Sequence, residues 1–245
     1  MTGQLRAELL KQRSTQTTLG LLLAMVGLVA LAVVLHVFGT DASDLTTRSQ
    51  QLSVFEVGTR VGMLFAGLVG AIAITGELRY GTIRPTFLAT PRRSPVLVAK
   101  VMVSALAGIV FGLLAEALMM GAVSAGFAAR GIEIQLGRDD FAQLITGGTA
   151  AAALWATIGL GIGALVRNQV ASLVGVCAWL LLVENLLISF LSGVGRLVPG
   201  EAGLALAGAA SSKLVAPAVG ALLLVLYAAA AAAAGWVSTV RRDVA

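Results

Sequence analysis

Long apolar stretches that carry almost no charge limit what this chain can fold into. One of them, Val96–Phe127, is interrupted by only four polar side chains, those of Lys100, Ser104, Glu116 and Ser124. A helix needs about 20 predominantly apolar residues to cross the hydrocarbon core of a bilayer. Of the 245 residues 58% are hydrophobic and 12% are charged, whereas a soluble domain is about 25% charged. These values exclude a water-soluble protein and predict an all-α integral membrane protein.

The apolar stretches predict six transmembrane helices, which fill residues 1–245 as a single transmembrane domain. Residues 1–18 are expected to form a helix along the membrane interface, because their leucines can face lipid while their basic side chains face water. The glycine-rich stretch Ser192–Lys213, before the last span, is expected to re-enter the membrane. The run of seven alanines, Ala228–Ala234, is interpreted as helical filler. The six spans are predicted at about 19–38, 58–75, 96–127, 141–166, 170–191 and 214–237.

The distribution of basic residues predicts the orientation of these spans. Most of the 17 lysines and arginines face the cytoplasm if both termini and the segment between the second and third spans lie there. Cytoplasmic loops carry an excess of basic residues in membrane proteins. We therefore expect a multi-pass protein of the bacterial cytoplasmic membrane with both termini on the cytoplasmic side.

The sequence contains no motif for nucleotide hydrolysis or for a familiar active site. A G-x-x-x-x-G-K-[ST] phosphate-binding loop is absent from it. The single histidine, His36, and the single cysteine, Cys177, cannot form a metal-binding set, and Cys177 is interpreted as a buried structural thiol. The basic residues sit at the ends of apolar stretches and form no continuous face for a nucleic acid. No catalytic activity, metal or cofactor is expected on this chain.

Two carboxylates fall inside predicted spans. Glu116 ends a series of small residues repeated every fourth position, so it is expected to point into the helix bundle, and Glu184 lies within the apolar fifth span. Arg60, at the start of the second span, is expected to form an ion pair with one of them. Two interpretations remain open: a structural ion pair, or a place in a translocation pathway.

The segment between the second and third spans is the most polar part of the chain. Residues 76–95, GELRYGTIRPTFLATPRRSP, combine an acid, several arginines, glycine, prolines and aromatic side chains. A charge bias alone accounts for the arginines but not for the other residues. The pattern predicts a small amphipathic structure that lies on the membrane surface and contacts another protein.

This segment resembles the membrane-spanning permease of ABC type-2 exporters. The resemblance lies in the run Gly76–Ile83, GELRYGTI, then Pro91-Arg92-Arg93, and Lys100 at the opening of the next span. The order of an N-terminal interfacial helix, six spans and a re-entrant stretch is also similar to that family. In that family the matching residues belong to a coupling segment. The resemblance therefore implies the same role here for Glu77, Arg79, Gly81, Thr82, Pro91, Arg92 and Lys100.

The resemblance implies a non-catalytic transport subunit with two kinds of protein partner. A second permease, identical or related, would complete the translocation pathway, and a cytoplasmic ABC ATPase would bind ATP and Mg²⁺ and dock on the coupling segment. Membrane lipids surround the assembly, and the expected substrate is a drug, a peptide or a lipid-like molecule. The alternatives are a stand-alone proton-coupled transporter that uses Glu116 or Glu184, and an intramembrane enzyme or scaffold.

Overall fold

The computed structural model describes residues 6–10, 16–82, 93–210 and 214–241, and within them it contains helices and no strands. Six of its helical segments are long and apolar enough to cross a membrane, which confirms the predicted all-α fold with six spans. They are span 1 Gln16–Phe38, span 2 Arg48–Arg79, span 3 Ser94–Ala129, span 4 Arg138–Val166, span 5 Gln169–Phe190 and span 6 Pro217–Thr239.

The parts predicted outside the spans are described incompletely. Residues 6–10 are helical, whereas the remainder of the predicted N-terminal helix before span 1 lies outside the described residues. Span 2 continues as a helix to Arg79, so the first turn of the predicted coupling segment belongs to that span. Two short helices, Ser192–Gly195 and Pro199–Leu206, occupy the stretch predicted to re-enter the membrane.

Three spans depart from regular α-helix. Span 2 consists of the helices Arg48–Phe55 and Val57–Arg79, which meet at Glu56. Span 1 ends in a π-helical turn, Val34–Phe38, and span 5 contains another, Trp179–Val183. Turns of this type widen the helix by one residue and change the direction in which the following side chains point.

Span 4 lies at the centre of the bundle and packs against spans 2, 3 and 6. Glycine makes this close packing possible. A Cβ atom on Gly159 would lie 2.0 Å from the carbonyl oxygen of Gly67, and one on Gly70 would lie 1.9 Å from that of Ala156. Small residues at such positions let helix backbones approach each other in a membrane, where lipid removes the hydrophobic drive for association.

The loops at one end of the bundle are fastened by a buried glutamine. Gln51 is fully buried, and its side-chain amide nitrogen donates hydrogen bonds to the carbonyl oxygens of Leu45 and Glu133 at 2.9 and 2.7 Å. Its side-chain oxygen accepts from the backbone nitrogen of Gln135 at 2.7 Å. We call this the loop end. The opposite end, which carries residues 6–10 and the last turn of span 6, is called the terminal end.

Candidate functional site

Three charged side chains meet inside the terminal end of the bundle. The Lys100 ammonium lies 2.8 Å from a carboxylate oxygen of Glu8 and 2.8 Å from one of Glu77. The Lys100 side chain is 1% exposed, and the two carboxylate side chains are each 9% exposed. Charge-assisted hydrogen bonds of this kind are short and strong, and they are needed because burying an unpaired charge is costly. We call these three residues the Lys100 cluster.

The Lys100 cluster joins three separate elements. Glu8 lies in the short helix 6–10, Glu77 in the last turn of span 2, and Lys100 near the start of span 3. Spans 2 and 3 are the two helices that flank the segment predicted to contact another protein. The cluster therefore fixes the two helix ends that flank the segment to each other and to the N-terminal helix.

Residues 79–82, the last described residues before the gap in the segment, lie at the surface. Arg79 is exposed, its guanidinium donates to the side-chain oxygen of Gln169 at 3.3 Å, and it lies 5.7 Å from the centre of the Tyr80 ring. Gly81 has a φ of +69°, which glycine adopts without strain. The backbone nitrogen of Thr82 donates to the carbonyl oxygen of Glu77 at 3.0 Å and closes the turn.

Two other predicted coupling residues, Pro91 and Arg92, lie outside the described residues. Of the predicted set, the structure thus brings Glu77 and Lys100 into contact and leaves Arg79, Gly81 and Thr82 at the surface.

Sequence reasoning assigned no role to Glu8. The signal that could have found it is Lys100 itself, because a lysine inside an apolar stretch needs an acidic partner. Glu8 is the only acidic residue before the first span, so it was available as a candidate.

Glu116 points into the bundle between spans 2, 3 and 4. One of its carboxylate oxygens accepts a hydrogen bond from the Thr59 hydroxyl at 2.6 Å. A Cβ atom on Gly148 of span 4 would lie 2.1 Å from the same oxygen, so only glycine leaves room for the carboxylate there. The other oxygen is buried and has no hydrogen-bond partner among the described residues. Glu116 is therefore a buried acid held by one hydroxyl, without a basic partner in the described part of the chain.

Glu184 holds the start of the short helix Pro199–Leu206 in place. One carboxylate oxygen accepts hydrogen bonds from the indole nitrogen of Trp179 at 2.6 Å and from the backbone nitrogen of Gly200 at 2.9 Å. Gly200 is the second residue of the helix Pro199–Leu206, whose first backbone N–H groups have no partner within the helix. A carboxylate at that position satisfies such a donor and interacts favourably with the helix dipole.

Arg60 does not form the predicted ion pair with Glu116 or Glu184. Its guanidinium lies 3.3 Å from Glu56 and 3.6 Å from Glu201. The prediction was wrong because residue 60 follows Thr59, which faces Glu116, and successive residues of a helix point about 100° apart. Arg60 therefore faces the short helix Pro199–Leu206, and it connects that helix to the bend in span 2.

The polar residues described above hold helices and turns together. Within the described residues there is no group of three or more histidine, cysteine, aspartate or glutamate side chains that could hold a metal ion. A bundle of six membrane-spanning helices with a buried charged cluster at one end defines a multi-pass membrane protein.

Comparison with known protein families identifies the family to which this membrane protein belongs. The chain matches the model of the ABC-2 family transporter protein over residues 4–200 and belongs to that family. It is thus a multi-pass membrane permease subunit of an ABC transporter, a class of subunit that is generally not catalytic. The matched residues include the whole Lys100 cluster and the first five spans. A search of the curated proteins finds no match.

Proposed function

We propose that this chain is the permease subunit of an ATP-driven exporter and that a cytoplasmic ABC ATPase docks on residues 76–95. A second permease, identical or related, completes the translocation pathway. The terminal end of the bundle faces the cytoplasm in this proposal, in agreement with the excess of basic residues on that side. The proposal is supported chiefly by the Lys100 cluster, which fastens the helix ends on both sides of the segment to the bundle.

The cluster supplies the mechanical link that such a subunit requires. If the ends of the segment were loosely held, a displacement imposed by the ATPase would not reach the helices. Because the ends are fixed to the bundle, the displacement is transmitted to spans 2 and 3. Glu77 and Lys100 belong to spans 2 and 3, and both of these spans pack against span 4. Movement of the docked ATPase therefore displaces spans 2 and 3 together relative to the centre of the bundle.

The exposed turn beside the cluster provides the contact surface. Arg79, Tyr80, Gly81 and Thr82 are all exposed, and Tyr80 is 73% exposed despite its aromatic ring. Aromatic and arginine side chains contribute much of the binding energy at protein interfaces. In the proposal, Arg79 and Tyr80 contact the ATPase, while Glu77 and Lys100 transmit the movement from inside the bundle.

Glu116 and Glu184 have different places in this proposal. Glu116 lies where spans 2, 3 and 4 meet, so relative movement of these spans changes its surroundings, and it is the candidate for a pathway residue. Glu184 and Arg60 instead hold the re-entrant helix at the opposite end of the pathway. The substrate is a drug, a peptide or a lipid-like molecule.

The test is co-purification, in mild detergent, of the tagged chain with the ABC ATPases of its own cells. The native chain should retain the ATPase, and the double variant Arg79→Ala, Arg92→Ala should bind it at least about tenfold more weakly through loss of contact residues. Glu77 and Lys100 are left intact so that the fold is preserved. The matched control is Arg138→Ala, Arg196→Ala, which removes two exposed arginines outside the segment and should bind normally.

The outcomes separate docking from the rest of the proposal. Normal binding by the Arg79, Arg92 variant would place the docking surface elsewhere. Failure of the native chain to bind any ABC ATPase would overturn the exporter proposal and favour proton-coupled transport through Glu116.

A further inference from the structure

A groove of about 450 Å³ opens in the side of the bundle near the terminal end, between spans 3 and 6. Both spans pack on span 4, and the groove lies between them, with Ile74 of span 2 and Leu160 of span 4 among its buried walls. Met102 and Trp236, which also line it, are 49% and 36% exposed. The groove therefore opens toward the lipid-facing surface, and its size falls within the range of about 300–1,000 Å³ usual for small-ligand sites.

The alanine run of span 6 creates this space. A Cβ atom on Gly161 would lie 2.4 Å from the carbonyl oxygen of Ala231, so spans 4 and 6 touch through their backbones at that level. The next residues, Ala232 and Ala233, line the groove with single methyl groups, where larger side chains would fill it. The run that the sequence marks only as filler therefore shapes a cavity.

The lining selects an apolar occupant. It consists almost entirely of aliphatic residues, and its one charged member, Lys100, has its ammonium between Glu8 and Glu77. A ligand with polar groups along its length would lose hydrogen bonds to water and gain few in return. A hydrocarbon chain has no such cost.

At the terminal end, the helices that contain spans 3 and 6 both end in an arginine. The helix that contains span 3 begins at Arg93, and the helix that contains span 6 ends at Arg241. Arg92 and Arg242 are the neighbours of these two arginines in the sequence. Basic residues just beyond the ends of spans on the cytoplasmic side attract anionic lipid headgroups.

We propose that the groove binds one acyl chain of an anionic phospholipid, whose headgroup lies at the arginines that end its two walls. The inference rests on the proposed orientation only in naming the cytoplasmic leaflet as the source of the lipid. A bound acyl chain contacts the aliphatic part of the Lys100 side chain, so occupancy of the groove changes the surroundings of the Lys100 cluster.

The test uses quenching of Trp236 fluorescence by lipids with brominated acyl chains. The full-length permease, without ATPase, is placed in phosphatidylcholine vesicles that contain small, equal fractions of either brominated phosphatidylglycerol or brominated phosphatidylcholine. The Trp236 signal is the difference between the native chain and Trp236→Phe. We expect phosphatidylglycerol to quench at a concentration at least about fivefold lower, the effect of roughly one juxtamembrane basic residue.

Two variants with a matched control locate the effect. Ala233→Phe fills the groove and should abolish the difference between the two lipids, whereas Ala230→Phe, an exposed alanine of the same span outside the lining, should preserve it. Arg241→Gln with Arg242→Gln should reduce the preference for phosphatidylglycerol.

Equal quenching by both lipids in the native chain would overturn the proposal, and so would a preference that survives Ala233→Phe. The comparison of the two lipids in the native chain needs only the Trp236→Phe reference, so it tests the proposal even if Ala233→Phe fails to fold. Because no ATPase is present, a negative result leaves the co-purification experiment unaffected.

Discussion

Lys100 shows how a single buried residue can connect three elements of a membrane bundle. A lysine in an apolar helix is expensive unless its charge is compensated, and here two carboxylates from different elements compensate it. Replacing such a group by an apolar one removes the cost of burial but leaves the partners charged and buried. The cluster therefore makes the N-terminal helix, span 2 and span 3 depend on one another.

We predict that Lys100→Met destabilises the protein by about 3–5 kcal/mol, because Glu8 and Glu77 lose their common basic partner while still buried. The measurement is thermal unfolding in detergent, where a fall in Tm of roughly 10 °C is expected. Arg48→Ala is the control, because it removes an ion pair with Asp140 in which the Arg48 side chain is 60% exposed. That change should cost only about 0–1 kcal/mol. Equal losses in the two variants would contradict a special role for the buried cluster.

The acids inside the spans show where residue-level prediction succeeds and fails. The four-residue repeat that ends at Glu116 correctly indicated a side chain inside the bundle. The pairing of Arg60 was wrong because the direction of a side chain depends on its place around the helix, and the bend at Glu56 supplied a closer acid. The fixation of the helix Pro199–Leu206 by Glu184 could not be predicted, because it depends on a contact with a backbone nitrogen 16 residues away.

At the scale of elements, the position of the short helix Pro199–Leu206 depends on one glycine. A Cβ atom on Gly200 would lie 1.9 Å from a carboxylate oxygen of Glu184, so this position admits no side chain while Glu184 holds the helix. Gly193, in the same stretch, has no atom within 4 Å of the equivalent position. Both glycines lie in the same stretch of the chain, but only Gly193 has room for a side chain.

We predict that Gly200→Ala destabilises the protein by about 1–3 kcal/mol, since the new methyl group displaces the Glu184 carboxylate from the helix terminus. Gly193→Ala should be neutral or stabilise by up to about 1 kcal/mol, because alanine favours a helix where space allows. Both are compared by thermal unfolding, with the fluorescence of Trp179 as a local report on Glu184. Similar behaviour of the two variants would show that Glu184 does not hold the helix Pro199–Leu206 by this contact.

At the scale of the whole molecule, hydropathy alone was sufficient for the number and type of the helices. Apolar stretches of about 20 residues must be helical in a bilayer, because each backbone polar group has to find a partner within its own segment. The same argument is silent about how the helices face one another. Neither the contact of Glu8 with Lys100 nor the groove beside the alanine run follows from composition, because both arise from elements distant in sequence.

The orientation of the whole bundle can be tested with single cysteines. The chain contains one cysteine, so Cys177→Ser provides a background without thiols. We introduce Asp44→Cys at the loop end and Thr82→Cys at the terminal end, both at exposed positions. If the terminal end is cytoplasmic, as the excess of basic residues there predicts, an impermeant maleimide should label Asp44→Cys in intact cells. It should label Thr82→Cys only after the membrane is permeabilised, in cells that lack the ATPase. Labelling in the reverse pattern would place the docking segment outside the cell, where no ATP is available, and would exclude the proposed role of residues 76–95.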